Sequence, residues 1–381
     1  MSADDDSSFF PRYLKNINQA IANCLDQGDL NVLLAKKAGY LARHSLAEQA
    51  KSIISDLRKR NQTYDPRLTG WTVLSEGLAL HYEYLDNLGS KGKFSRALMT
   101  GKVAKDTNLT SIAAAWLANS EYALNEINSA VDHLEQSFRL SNSENGDARG
   151  RAMLLLGDML YWCGKPKSAR HWYRESRKYA VHDGDIAMQN IIFFNTANYA
   201  VWALTLQDCR APLASESWRH VALEVASAKN LNFALGIENL PSLIPTMEAE
   251  LKVVQRSWHQ SENIFCETIH NLGDEGQQRS ISKMFAQRAW CRVNLGNMDG
   301  AKSDIADALL QISDCGDLDD LLVLHSRISQ SAVLIGDADM ANRHQRISRE
   351  CEQLFSNQQE KIYGSIVPIL DYLASETKNP A

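Results

Sequence analysis

Few residues in the chain combine types and spacings that could do chemistry. The stretch LGSKGKF (88–94) gathers glycines and lysines, the ingredients of a phosphate cradle. It lacks the glycine-to-lysine spacing and the hydroxyl residue that would hold a phosphate and its metal, so it reads as a flexible turn. No HExxH occurs, and the ten histidines are dispersed. His81, beside Tyr82, is the one of most interest, as a groove residue or as an ordinary hydrogen-bonded histidine. Cys163 and Cys291 follow Trp162 and Trp290 directly and read as packed thiols rather than nucleophiles. Asn195 and Asn198 in FFNTANYAVWA sit in a helical pattern that disfavours them. Each amide needs a partner, either in a neighbouring hairpin or in the backbone of a bound peptide. These residues point to recognition rather than reaction. The expectation is no enzyme, no cofactor and no metal, although a nucleophile and a base can still meet across a fold without a local motif.

Composition narrows the partner. The 381 residues carry a net charge of −6 with both signs interspersed. No basic stripe marks a nucleic-acid binder, and no apolar run approaches the ~18 residues of a membrane span. The opening MSADDDSS is acidic and polar, unlike a signal peptide, so residues 1–8 are expected to be a solvated tail and the protein cytoplasmic. Seven cysteines without a CxxC pair indicate reduced thiols. Only eight prolines occur; Pro11, Pro66, Pro166, Pro212, Pro241 and Pro245 fall where helices start or turns lie, and Pro368 is expected to kink a C-terminal helix. Alternating strand patterns and Asn-Gly hairpin signals are absent, which predicts an all-α chain.

The elements that would position these residues repeat. In LLLGDMLYWCGKPKSARHWYRESRKYA (154–180), Gly157 is followed by Gly164, Ala169, Tyr173 and Ser176, at seven, twelve, sixteen and nineteen residues. Small residues let two helices approach, a glycine permits the turn between them, and the residue at sixteen fills the space left over. The spacing recurs from Ala118 (Ala130, Leu134, Ser137), Ala289 (Gly296, Ala301, Ile305, Ala308) and Ser329 (Gly336, Ala341, Gln345, Ser348). It recurs more weakly from Ala249 (Ser261, Phe265, Thr268). With Gly39, Gly77 and Ala197 the anchors lie 38, 41, 39, 40, 52, 40 and 40 residues apart. A beat of this length predicts a solenoid. Gly-Asp pairs at 146–147, 184–185, 273–274 and 316–317 are expected to end one helix and cap the next. Two departures stand out: a long turn, LDNLGSKGKF, after Gly77, and the insertion QDCRAPLAS after Ala197.

This pattern resembles the tetratricopeptide repeat (TPR) family over roughly residues 30 to 355, in the longer ~40-residue form seen in bacterial regulators and adaptors. The resemblance implies a right-handed α-solenoid of about eight TPR-like hairpins. The expected boundaries are an acidic tail (1–8), an N-terminal helix (9–30), repeats over 31–204, an insertion and displaced helix over 205–235, repeats over 236–355 and a capping helix over 356–376. It also implies a protein or peptide partner, bound on the concave face by residues four and five beyond each anchor. Those are Tyr82, Tyr122, Trp162 and Trp202, each 40 residues from the next. Trp71, His81, Tyr161, Phe194, Asn198 and Trp290 fall near the same face. The same spacing also follows if these rings pack between successive hairpins, and the sequence leaves both roles open. Asn198, Asn119, Lys36, Lys283 and Arg151 could face the groove too. Some members of the family clamp a terminal carboxylate with Lys and Asn, but here these residues do not form a consecutive set.

The function expected from this resemblance is a non-catalytic bacterial scaffold or adaptor acting in trans. The alternative is a ligand- or signal-peptide-sensing regulator whose superhelix encloses its ligand. A closed aromatic pocket would favour the alternative, and an open groove with an exposed apolar stripe would favour the scaffold.

Overall fold

The computed structural model describes residues 12–61, 64–142, 146–211, 213, 217–236, 241–314 and 316–378. The acidic tail, Pro11, Pro212 and Cys315 lie outside them. Among the described residues there are seventeen α-helices and no strand. A lone helix α1 (Arg12–Asn23) precedes α2 (Gln27–Arg43) and α3 (Ala47–Arg60), α4 (Pro66–Tyr84) and α5 (Asn87–Ala104), α6 (Thr107–Ala123) and α7 (Ile127–Leu140), and α8 (Gly146–Trp162) and α9 (Pro166–Asp183). Then come α10 (Ile186–Arg210) and α11 (Arg219–Ala234), α12 (Leu243–Val254) and α13 (Trp258–Thr268), α14 (Gln278–Asn294) and α15 (Met298–Leu310), and α16 (Leu318–Ile335) and α17 (Ala338–Lys378). No helix among the described residues is long and apolar enough to cross a membrane.

The chain divides into two compact units, Met1–Ile192 with Ile362–Ala381, and Phe193–Lys361. The division falls inside α10 and α17 rather than at the insertion after Ala197. In unit 1, α2 packs on α3, α4 on α5, α6 on α7 and α8 on α9, while α2 lies against α4 and α6 against α8. In unit 2, α12 pairs with α13 and α14 with α15, and α14 lies against α16. Ala197, Val201 and Leu204 of α10 share a core with Val221 and Val225 of α11 and Met247 and Leu251 of α12. The helix after the insertion therefore shares one core with α10 and α12.

All eight anchors lie on the even-numbered helices α2 to α16, and close approach explains their size. A Cβ added at Gly77 would meet the Phe94 ring at 2.6 and 2.8 Å. At Gly157 it would overlap the ring of Tyr173, sixteen residues on. Serine hydroxyls tie neighbouring helices to backbone carbonyls: Ser176 Oγ donates to Gly150 O at 2.9 Å, Ser261 Oγ to Ala249 O at 2.9 Å and Ser329 Oγ to Ala341 O at 2.9 Å. Gln345, at the space-filling offset from Ser329, is exposed instead.

The turns after seven of these helices, α2, α4, α6, α8, α12, α14 and α16, hold a left-handed residue seven positions past the anchor, or within one of it. Gly164, Gly296 and Gly336 fill it as expected, but Ser45, Leu85, Asn125 and Arg256 adopt the same positive φ without glycine. Pro66 and Pro166 open α4 and α9.

Three expectations are corrected. The long turn after Gly77 is two residues, because Asp86 accepts from Gly89 N at 2.8 Å and starts α5 there, so LGSKGKF is helical. Of the Gly-Asp pairs, only Gly184-Asp185 works as drawn: Gly184 ends α9 with φ 71°, and Asp185 accepts from Met188 N at 2.9 Å. Gly146 and Asp147 instead lie within the first turn of α8. Last, residues 356–376 are the C-terminal half of α17, which continues past Pro368 to Lys378. Their apolar stripe, Ile362, Ile366, Ile369 and Leu373, is buried. Glu376 pairs with Arg149 of α8, and Tyr372 lies under the Arg139 guanidinium of α7.

Candidate ligand-binding site

The first helices of unit 1 converge on a chamber. A deep cavity of about 40 Å³ is lined by Lys36, Tyr40 and Arg43 from α2, Trp71 and Tyr82 from α4, Trp116 from α6, and Asp147 and Arg151 from α8. A wider chamber of about 420 Å³ adjoins it, bounded by Arg12, Tyr13 and Ile17 of α1 and by Asn108, Asp147 and Asp183. Tyr13, Lys36, Trp71, Ile112 and Asp147 line both. The larger volume lies in the range of small-ligand pockets.

Local structure explains how each wall is held. Asp106 caps α6 by accepting from Leu109 N at 3.0 Å, and its other oxygen accepts from Trp71 Nε1 at 2.9 Å. One cap thus fixes the tryptophan. Lys36 Nζ lies 4.3 Å from the centre of that ring. Opposite, Trp116 stacks on Phe94 at 5.7 Å, and the Arg151 guanidinium covers it at 3.9 Å. Arg151 Nη2 donates to Asn119 Oδ1 at 2.5 Å. α1 closes the outer side: Tyr13 stacks on Tyr40 at 4.6 Å, with Leu14 and Ile17 buried beneath.

The electrostatics are uneven. Arg43 pairs with Asp185. Lys36 and Arg151 form no ion pair with a carboxylate among the described residues, and burial pulls the pKa of each below its ordinary value. Arg151 Nε, Arg43 Nε and the Tyr40 hydroxyl are buried without a protein partner, although all three residues line the cavity. Such atoms cost ~1–3 kcal/mol each when left unmet. Asp147, reachable by solvent but surrounded by protein, has its pKa raised to about 6. Crowding by the surrounding protein is the main cause, although the residue stays exposed; Asp185 and Asp183 add to it, and Arg43 and Lys36 oppose it. Burial, helped by Arg151, holds the His81 imidazole down to about 3, so it is neutral.

This arrangement can bind and neutralise charge. Asp147 can exchange a proton near pH 6, but the serine on the wall, Ser75, already donates to the carbonyls of Ala35 at 2.7 Å and Trp71 at 3.1 Å. Among the described residues, no group of three His, Cys, Asp or Glu could hold a metal ion.

Unit 2 treats its buried cations differently. Arg327, fully buried, donates to Asp208 at 2.7 Å, and Arg256 meets the same carboxylate at 2.5 Å. Lys283 lies between Asp320 at 2.9 Å and Glu250 at 3.3 Å. Arg288 and Arg292 share Asp304.

The residues expected to bind a partner are dispersed. Trp71 and Tyr82 line the chamber, and His81 stands edge-on to Trp116 at 5.5 Å behind it. Tyr161 is buried against Tyr173, and its hydroxyl accepts from Arg170 Nε at 3.0 Å. Tyr122, Trp162 and Asn198 are half-buried, and none of them lines the chamber. In unit 2, Trp202 donates to Asp319 at 2.7 Å and packs on Phe355, while Trp290 packs on Trp258. Tyr13, Tyr40, Arg43, Trp116 and Asp147 were not anticipated. The signal lay in a different offset: Trp71, Ile112 and Arg151 are each six residues before an anchor, Lys36 and Leu74 three before, and Tyr40 and Leu78 one after. Offsets of −6, −3 and +1 lie close together on one helix face, and they define the inner wall.

No family model matches the chain, and no curated protein matches it.

Proposed function

We propose that this protein is a ligand- or signal-peptide-sensing regulator, built as a TPR-like right-handed solenoid and acting without catalysis on a protein partner in the bacterial cytoplasm. The observation that carries this reading is the chamber of unit 1, part-enclosed, aromatic-walled and assembled from successive first helices. A ligand that touches α2, α4, α6 and α8 together favours one arrangement of them over others, which is how binding in a helical array becomes a change of shape. The scaffold reading draws less support. It needs Tyr82, Tyr122, Trp162 and Trp202 on an open surface, and two of these rings are occupied, Tyr82 by Trp116 and Trp202 by Asp319 and Phe355.

The test is native mass spectrometry of the full chain purified from its own cells, compared with Ile112→Trp. Ile112 lines both cavities, and the larger ring fills the chamber. A small molecule or peptide retained by the wild type and missing from a folded variant is expected. The same adduct on both proteins, or on neither, refutes the reading.

A further inference from the structure

We propose that the chamber of unit 1 takes a ligand with an anionic head group of carboxylate size, held by Lys36 and Arg151, and an aromatic or apolar body lying against Trp71. This rests on the sensing reading above and specifies its ligand.

The first argument is charge. Removing a cation from water without a counter-charge is strongly unfavourable. Elsewhere the chain meets that cost with carboxylates: Lys283 has Asp320 and Glu250, Arg327 has Asp208, and Arg288 has Asp304. Arg151, buried, and Lys36, half-buried with Asp147 and Asp106 acting on it only through space, have no such ion pair among the described residues, and both line one cavity. Arg151 is only 7% exposed, and its remaining contacts are an amide and a ring face. Those contacts orient the guanidinium beside the cavity and give it no carboxylate partner.

The second argument is size and order. The smaller cavity offers about 40 Å³, against the ~10–15 Å³ that one water needs on the same measure, which is room for a carboxylate head. The adjoining 420 Å³ holds the body, and Trp71, which lines both spaces, offers it an aromatic face. Planar guanidinium chemistry suits a carboxylate particularly well.

The probe is benzoate, with benzyl alcohol as its neutral counterpart. Binding is followed by tryptophan fluorescence and calorimetry on the full chain. For so few atoms a Kd of roughly 10 mM or below is expected. Lys36→Met should weaken benzoate about tenfold and leave the melting temperature of the ligand-free protein unchanged or raised, because a half-buried charge with no ion-paired carboxylate is gone. Arg151→Lys, which keeps the charge and loses the fork, should weaken it as well. Benzyl alcohol binding as tightly as benzoate would overturn the charge assignment while leaving the sensing reading standing. Benzoate binding to both variants as it does to the wild type would overturn the two residues' role. No binding of either compound at roughly 10 mM, with an adduct still found by mass spectrometry, would overturn this inference alone; with no adduct, both fall.

Discussion

Gly77→Ala tests whether the close approach of α4 and α5 sets the size of the anchor and supports the chamber wall. On an isolated helix this change would stabilise by ~0.5–1 kcal/mol, because alanine is the better helix former. Here the new Cβ would sit 2.6 Å from Phe94 Cε1 and 2.8 Å from Cδ1, with Lys93 Cβ at 3.0 Å. Ordinary carbon contacts lie near 3.5–4.0 Å, so the ring must retreat by about 1 Å. Phe94 is fully buried and stacks on Trp116, so it has nowhere to move without disturbing the wall beside Arg151. Overpacking of this kind costs ~1–3 kcal/mol. The net expectation is a loss of about 1–2 kcal/mol, a sign opposite to helix propensity. Phe94→Leu alone should cost about 1–2 kcal/mol through the void it leaves. In the double variant the alanine meets a smaller side chain, as Ala118 is matched with Leu134, and the two losses should fail to add by 1 kcal/mol or more. Urea denaturation followed by circular dichroism measures all three, and tryptophan emission reports on Trp116. A more stable Gly77→Ala protein, or strict additivity, would refute the packing argument.

Other outcomes follow from single groups. Lys105, exposed and held at φ 53° where α5 ends, should gain about 0.5–1 kcal/mol on replacement by glycine, seen as a higher urea midpoint. Asp208→Asn removes the fully buried carboxylate that Arg327 and Arg256 share and should cost roughly 3 kcal/mol in the same assay; a loss under 1 kcal/mol would show that Gln287 and Gln330 suffice for Arg327. Asp147 faces Arg43, Lys36, Asp183 and Asp185, and its pKa is raised from 3.8 to about 6. The folded chain therefore binds its proton more tightly than the unfolded chain, so this group favours folding as pH falls through about 6 and opposes it above. Protonation also removes a negative charge beside the proposed anion, so benzoate should bind about three- to tenfold more tightly at pH 5.5 than at 7.5. In Asp147→Asn this dependence should vanish, and its persistence in calorimetry would exclude Asp147 as the source.

Much of the architecture was legible in local pattern. Each small anchor marks a first helix, because close helix packing can tolerate little beyond Gly, Ala or Ser there, and that demand is written into single positions. The turn glycines were legible only at Gly164, Gly296 and Gly336, since Ser45, Leu85, Asn125 and Arg256 accept the left-handed backbone at a cost that packing covers. The start of α5 was misplaced because a cap is a side-chain bond: Asp86 to Gly89 N converts a glycine-rich stretch from turn to helix.

The chamber belongs to tertiary structure. Lys36, Asn119 and Arg151 stood out as polar residues of first helices, yet they lie on α2, α6 and α8, and their sequence separation gave no sign of a shared site. Lys36, Trp116 and Arg151 lie at offsets −6 to +1 from their anchors, and of the +4 and +5 positions only Arg43 and Tyr82 join them on the wall. Charge pairing is decided at the same level. Lysine and arginine look alike in any stretch of sequence, and only the fold distinguishes Arg327, which finds Asp208 on another helix, from Arg151, which finds an amide, a ring and an open cavity. The sequence by itself determined that helices would pair around small residues, because that constraint acts between near neighbours; which charges found a carboxylate depended on contacts between residues far apart in the chain.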